Sequence, residues 1–317
     1  MTINVAFIGA GDMANAVHYP SVAKSPNAKL VAVADLDQKR CAQTADKFGI
    51  KGRYADYKQM FEMERIDAVY VIMSPRFVKP IILDCLNAGK HVFTEKPLGV
   101  SAADAREMAA LAVKHKRATA VGFNRRFSAV LAEARKRVEA KGPINTVMAE
   151  FHKDMKENYE FNKVSIVRTD VIHVIDVLSW VGGEVSEVRS CADKLNQEDW
   201  INNANALMRF KNGAVGMLSA NRKNGNRYER FELHGYGISA YVRAPELAEI
   251  YETGVKDPTI LKGPELCGTD EFRVVYGYEA ETRHFLESIA QGRDCENSFS
   301  AAVRSYELAE KIESGGM

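Results

Sequence analysis

Two stretches of this chain carry residues fit for proton transfer. In the first, Glu95-Lys96-Pro97 follows a short apolar run at residues 91–94. Pro97 disfavours helical backbone at Lys96, so the lysine is held in an extended loop from which its ammonium can point at a substrate hydroxyl. A solvated turn has the same composition. In the second, residues 169–180 are apolar nearly all round, the mark of a buried helix. Asp170, His173 and Asp176 interrupt that run at i, i+3 and i+6, a narrow ionisable stripe. Burying such groups is costly unless they are paired or serve a site. The stripe therefore reads either as a proton-transfer group with an orienting carboxylate or as a His–Asp pair that only fixes packing. Asn124, Arg125 and Arg126 form a third set, able to bind substrate hydroxyls or a cofactor. Glu150 and His152 share a face by period-2 alternation, lining a pocket or the solvent side of a sheet.

These residues need a scaffold, and the first stretch of the chain supplies one. An apolar strand at residues 3–8 runs directly into Gly9-Ala10-Gly11-Asp12-Met13-Ala14, a G-x-G-x-x-A turn, and helix-compatible residues follow. Gly9 permits the tight turn, Gly11 lets backbone approach phosphate oxygens, and Ala14 lets helix pack on strand. The helix start then points free N–H groups at an anion. A second strand ends on Asp35, at the spacing of a ribose-binding carboxylate. Such a carboxylate repels a 2′-phosphate, which favours NAD, with NADP as the alternative if Lys39 or Arg40 binds that phosphate. As early helix residues, Lys39 and Arg40 read as solvated. His18-Tyr19-Pro20 follows in the first helix, where the proline must kink or end it; His18 could reach the active-site crevice, but reads more readily as a surface or packing residue. A third strand at residues 66–73 delivers Ser74-Pro75 to its carboxyl end, where ligands of open α/β sheets bind.

At 317 residues the chain exceeds one core, so two domains are expected. Residues 1–121 read as an N-terminal Rossmann domain with a doubly wound parallel sheet. Residues 122–317 read as a C-terminal α+β domain with a large open, mostly antiparallel sheet. Alternating stretches at 144–152, 185–191, 203–210, 214–221, 228–233 and 238–242 would form that sheet, with helices on one face and at 278–291 and 300–314. The formal net charge of +1, from 43 basic and 42 acidic residues, makes no electrostatic case for nucleic acid or an anionic membrane. No apolar run reaches spanning length, and the N-terminus reads as a strand rather than a signal peptide. Five scattered cysteines lack metal-ligand spacing, so no metal site is expected and a cytoplasmic location is.

The motifs together resemble the glucose–fructose oxidoreductase/inositol dehydrogenase (Gfo/Idh/MocA) family over nearly the whole chain. The resemblance is carried by G-A-G-D-M-A at residues 9–14, H-Y-P at 18–20, V-A-V-A-D ending at Asp35, and S-P at 74–75. It continues in A-G-K-H-V-F-T-E-K-P-L at 88–98, G-F-N-R-R-F at 122–127 and H-V-I-D-V-L-S-W at 173–180. The last two are most similar to MviM-type dehydrogenases. The resemblance implies NAD(P)-dependent hydride transfer at a carbinol carbon of a sugar, cyclitol or related polyol, in a homodimer or homotetramer. Lys96 matches the family's active-site lysine and His173 its active-site histidine. On this reading His173 is the base, Lys96 polarises the same oxygen, and Asp170 or Asp176 orients the imidazole. The expected cofactor contacts are Gly9, Gly11, Asp12, Met13, Ala14, Asp35, Ser74, Pro75, Glu95, Lys96 and Asn124.

Two departures stand out. Thr169 occupies the position of the family's usual aspartate, with the acid at Asp170 instead. Arg76 and Lys79 replace the asparagine and histidine of its S/T-P-N-x-x-H loop. A nucleotide-binding regulatory or virulence-associated protein without turnover is the alternative reading that the first departure favours.

Overall fold

The computed structural model describes residues 2–155 and 164–315. The apolar runs of the first part form strands β1 (Ile3–Ile8), β2 (Ala28–Ala34), β3 (Gly52–Tyr54), β4 (Ala68–Val71), β5 (His91–Thr94) and β6 (Thr119–Val121). They lie in the order β3-β2-β1-β4-β5-β6 with every neighbouring pair parallel. This is the Rossmann order, which reverses beside β1. All four residues of β4 are buried, as a strand covered on both faces requires. Phe7, Tyr70 and Phe93 are register partners on β1, β4 and β5, and their rings stack with centroids 4.7 and 4.5 Å apart. Tyr19 extends the stack, 3.9 Å from Phe7. Each such ring pair adds roughly 0.5–1.5 kcal/mol to what burial alone contributes.

The chain separates into two compact units, and it passes between them more than once. One unit comprises the residues up to Phe123 together with Tyr278–Val303; the other comprises Asn124–Gly277 and the segment from Arg304 onward. The sequence suggests a single break between 121 and 122. The helix Tyr278–Gln291 instead brings Phe285 edge-on to Tyr70 and Phe93, at 5.7 and 5.8 Å. Just beyond it, Asn297 covers the edge strand β6. Its Nδ2 donates to the Val121 carbonyl at 2.8 Å, and its own carbonyl accepts the Val121 N–H at 2.9 Å. An exposed strand edge is thereby closed.

The second unit holds β7 (Thr146–Asp154), β8 (Val185–Asp193), β9 (Asn203–Phe210), β10 (Val215–Asn221), β11 (Lys223–Gly235), β12 (Ile238–Arg243), β13 (Leu247–Glu252) and β14 (Thr259–Lys262). Their order is β14-β13-β12-β11-β7-β10-β9-β8; β7 and β10 pair in parallel and all other neighbours are antiparallel. Strict alternation in β9 and β10 buries Ala204, Ala206, Met208 and Phe210 with Leu218 and Ala220 on one face. The helices Ala129–Lys141 and Ile172–Gly182 pack against the sheet. The β13–β14 hairpin is absent from the sequence reading. Leu247, Ala248 and Glu249 are helix formers, and pairing with β12 overrides that preference.

Pro20 does not end the first helix. A π turn over Ala14–His18 passes into an α-helix, Tyr19–Ala23, and Pro20 sits in its first turn, where a missing N–H is tolerated. Among the described residues no helix is long and apolar enough to cross a membrane.

Candidate active site

The turn after β1 is shaped by Gly9. Its φ is +109°, and a Cβ there would lie 2.1 Å from the Ile72 carbonyl oxygen, so no other residue fits without moving β4. Gly11 is different, because a Cβ on it would meet nothing within 4 Å. The space it leaves belongs to a cavity of about 340 Å³ that Gly9, Gly11, Asp35, Arg40, Ile72 and Ser74 help to line. Asp12 lines an adjoining cavity with Lys39, Arg40 and Lys47. Ser74 caps the helix Pro75–Asn87 and Pro75 opens it, while Ala14 is buried and Met13 is half exposed.

Asp35 aims its carboxylate into this turn. It accepts the Ala10 N–H at 2.7 Å and the Asp37 N–H at 2.9 Å, and the Arg40 guanidinium lies on it at 2.9 and 3.3 Å. Burial alone would raise its pKa, but the bonds from Arg40 and the two backbone N–H groups hold the carboxyl below the usual aspartate range. Asp35 is therefore an ionised acceptor at neutral pH. The Arg40 side chain is 48% exposed, as its early helix position suggests, and is paired with Asp35 as well. Arg40 is the exposed partner of a carboxylate that is itself only 7% exposed, and the two backbone N–H bonds tie Asp35 to the turn independently of the guanidinium.

Lys96 follows β5 and is half buried, and its backbone N–H donates to Glu95 Oε2 at 3.1 Å. Glu95 Oε1 is 2.8 Å from Nε2 of His18. A Cβ at Gly122 would come within 2.9 Å of the Glu95 carboxylate, so that glycine leaves room for it. His18 is fully buried and its ring packs on Phe93 at 5.1 Å. His18 is thus the packing residue that the sequence allows, and its partnership with Glu95, which anchors the loop before Lys96, is what the sequence does not show. The only signal was H-Y-P itself, since the partner lies 77 residues away.

In the second unit the ionisable stripe meets a row of cations. The Arg222 guanidinium lies 2.9 Å from Asp170, which also accepts Lys153 at 2.9 Å. Arg126 grips Asp176 through two bonds of 2.7 and 2.6 Å, and Ser305 adds a third at 2.9 Å. Arg125 Nη1 lies 3.4 Å from His173 Nε2. With arginine donating, Nε2 is the nitrogen that carries the lone pair, as a general base needs. Asn124 donates to the Tyr276 carbonyl at 2.8 Å and accepts from Arg125 at 2.8 Å. Arg125 itself is fixed by a bidentate pair with Glu229, at 2.9 and 3.1 Å.

Burial would raise the Glu229 pKa, yet Arg125 and Arg227 together hold it below the ordinary glutamate value near 4.5. A depressed carboxyl stabilises the fold above its unfolded pKa, and that contribution is lost as pH falls through the folded value. Thermal melts of Glu229→Gln should accordingly lose much of the fall in Tm that the wild type shows below about pH 4.5.

Residues 3–123 match the model of the Gfo/Idh/MocA oxidoreductase family, NAD-binding Rossmann fold, and residues 131–240 match the Gfo/Idh/MocA C-terminal domain. The chain belongs to the Gfo/Idh/MocA family. It is similar to the myo-inositol 2-dehydrogenase of Thermotoga maritima, 25% identical over 309 residues that cover 92% of this chain and 89% of the relative. Its fold is that of a levoglucosan dehydrogenase solved in complex with NADH, with a TM-score of 0.87, 21% identity and coverage of 99% and 97%. It is also that of the dehydrogenase MviM from Clostridium difficile, at 0.83, 22%, 99% and 99%.

This family member departs from the common loop at Lys79. The ammonium is tied to Asp104 and Glu107 at 2.8 and 2.7 Å, on the helix Ala102–His115, and both carboxylates raise its pKa. Lys79 thus serves as a helix-to-helix tie. The cradle residues fit NAD, with the open space over Gly11 for the pyrophosphate and Asp35 for the ribose. Gly11→Val should keep its melting temperature while calorimetry shows NAD affinity falling about tenfold or more, since the new side chain fills space that phosphate needs. Gly9→Val should fail earlier, as a loss of folding.

Proposed function

We propose that this protein is an NAD(P)-dependent dehydrogenase acting on a CH–OH group of a sugar, cyclitol or related polyol, with NAD preferred. The observation that carries the reading is the Gly9–Asp35 cradle, in which an ionised carboxylate lines the cavity beside Gly9 and Gly11 and can accept the hydroxyls of a ribose diol. The nicotinamide, when bound, supplies the hydride acceptor. His173 takes the hydroxyl proton at Nε2, and the Lys96 ammonium holds the same oxygen as negative charge develops on it. Gly11, Asp12, Met13 and the helix start at Ser74-Pro75 hold the dinucleotide. Asp170 acts through the cations it gathers beside His173. Incubating the purified protein with NAD or NADP and a panel of polyols, while following nicotinamide absorbance, tests the reading. Reduction of NAD by at least one polyol is expected. Tight NAD binding with no turnover would support a nucleotide-binding regulatory protein instead.

The same reading places the protein in the cytoplasm, in keeping with five free cysteines, and makes it a homo-oligomer. The open face of the eight-stranded sheet exposes Leu207, Met217, Tyr228 and Tyr251, and carries a depression of about 780 Å³. An apolar face of that kind marks an interface, and self-pairing across a two-fold axis would cover it. Leu207→Glu with Met217→Glu should convert a dimer or tetramer to monomer in analytical ultracentrifugation. A monomeric wild type at micromolar concentration would contradict the assembly.

A further inference from the structure

Three cations surround one phenyl ring in the second unit. Phe151 on β7 is buried, and the Arg222 guanidinium lies 4.2 Å from its centroid, with Arg227 and Lys153 Nζ each at 5.4 Å. Each of the three leads back to His173. Arg227 shares Glu229 with Arg125, whose Nη1 is 3.4 Å from His173 Nε2. Arg222 and Lys153 share Asp170, one helical turn before His173. Two carboxylates thus gather four cations, Glu229 holding Arg125 and Arg227, and Asp170 holding Arg222 and Lys153.

Arg222 is the costly member of the cluster. It is 1% exposed, bonded to the Phe151 carbonyl and paired with Asp170, and among the described residues its Nη2 has no hydrogen-bond partner. Burial pushes its pKa below the usual arginine range. A leucine or methionine would pack more cheaply than a buried guanidinium if the cluster served packing alone. The cluster also reaches solvent, since the Arg227 and Lys153 side chains are 49% and 25% exposed.

We propose that the substrate is an anionic polyol, one bearing a carboxylate or a phosphate, and that Arg222, Arg227 and Lys153 hold that group beside His173. The inference rests on the dehydrogenase reading with His173 as the base. An anion would offer charge-assisted acceptors for the guanidinium N–H groups, Arg222 Nη2 among them, which favour planar, bidentate oxygen pairs. A neutral cyclitol offers hydroxyls alone.

The test is calorimetry on the NADH-loaded full chain with three probes: myo-inositol, D-gluconate and D-glucose 6-phosphate. At least one anion should bind about tenfold or more tightly than inositol, and the advantage should shrink in high salt. Tighter gluconate identifies a carboxylate substrate, and tighter glucose 6-phosphate a phosphate. Arg227→Gln, chosen because its side chain is half exposed, should narrow the anion-to-inositol ratio by about tenfold, and Lys153→Met should act the same way. Inositol binding as tightly as both anions, or a ratio unmoved by both variants, overturns the inference. Binding is read as heat, so the two readings can fail separately. Oxidation of inositol without anion preference sinks only the anionic substrate, whereas absent NADH binding sinks the dehydrogenase.

Discussion

Lys96→Met is expected to lose about 10²–10⁴ in turnover while keeping wild-type NAD affinity and melting temperature, and His173→Ala to do the same. The two side chains are separated by 77 positions in sequence, so a shared effect on chemistry has no local explanation. If both act on one substrate oxygen, their losses should not add, because removing either disables the same step. The double variant should be little slower than the poorer single one. Single-turnover kinetics with a working polyol, beside melts of all three variants, measure this. A purely packing role predicts the opposite pattern: His173→Ala, whose side chain is only 7% exposed, lowers the melting temperature, and Lys96→Met changes nothing. Hydride transfer near the wild-type rate in Lys96→Met would remove lysine from the mechanism.

A large stability effect is also expected at Asp176. Its carboxylate is fully buried and takes three bonds, two from Arg126 and one from Ser305. Asp176→Ala leaves the 4% exposed Arg126 without its counter-charge. Breaking a buried pair on one side costs about 3–5 kcal/mol, a fall in Tm on the order of 10 °C for a chain of this size. Replacing both partners, Asp176→Leu with Arg126→Met, should recover most of that loss, because a well-packed apolar pair carries no desolvation penalty. Denaturant melts of the single and double variants decide the point. A loss below about 1 kcal/mol in Asp176→Ala would mean that the pair is relaxed or hydrated in solution.

The alternation that writes a half-buried strand, and the stripe at residues 170, 173 and 176, are patterns of near neighbours. They were legible for that reason. The outcome of the stripe was not. Nothing near Asp176 in sequence announces Arg126, 50 residues back, and nothing near Asp170 announces Arg222, 52 residues on. Arg40 differs, because its partner Asp35 lies only five residues back, across the turn between β2 and the helix Gln38–Phe48. The β13–β14 hairpin was lost to local propensity, since its residues favour helix and only the neighbouring strand makes them extended.

What the sequence determined by itself is the dinucleotide cradle and the doubly wound, parallel class of its sheet. A glycine with no room for a Cβ, a small residue under a helix and an acid at the end of the next strand are each specified within about one βαβ unit, where connectivity leaves the chain little choice. Tertiary structure alone decided which residues share the second unit's buried charge, and that the segment Tyr278–Val303 packs with the first unit. Phe285 finds Tyr70 and Phe93 there, and Asn297 finds the open edge of β6. Both choices depend on long-range burial. Hydrophobic and ionic contacts are non-directional along the chain, so the pattern of a single helix shows that it must be covered and not by what.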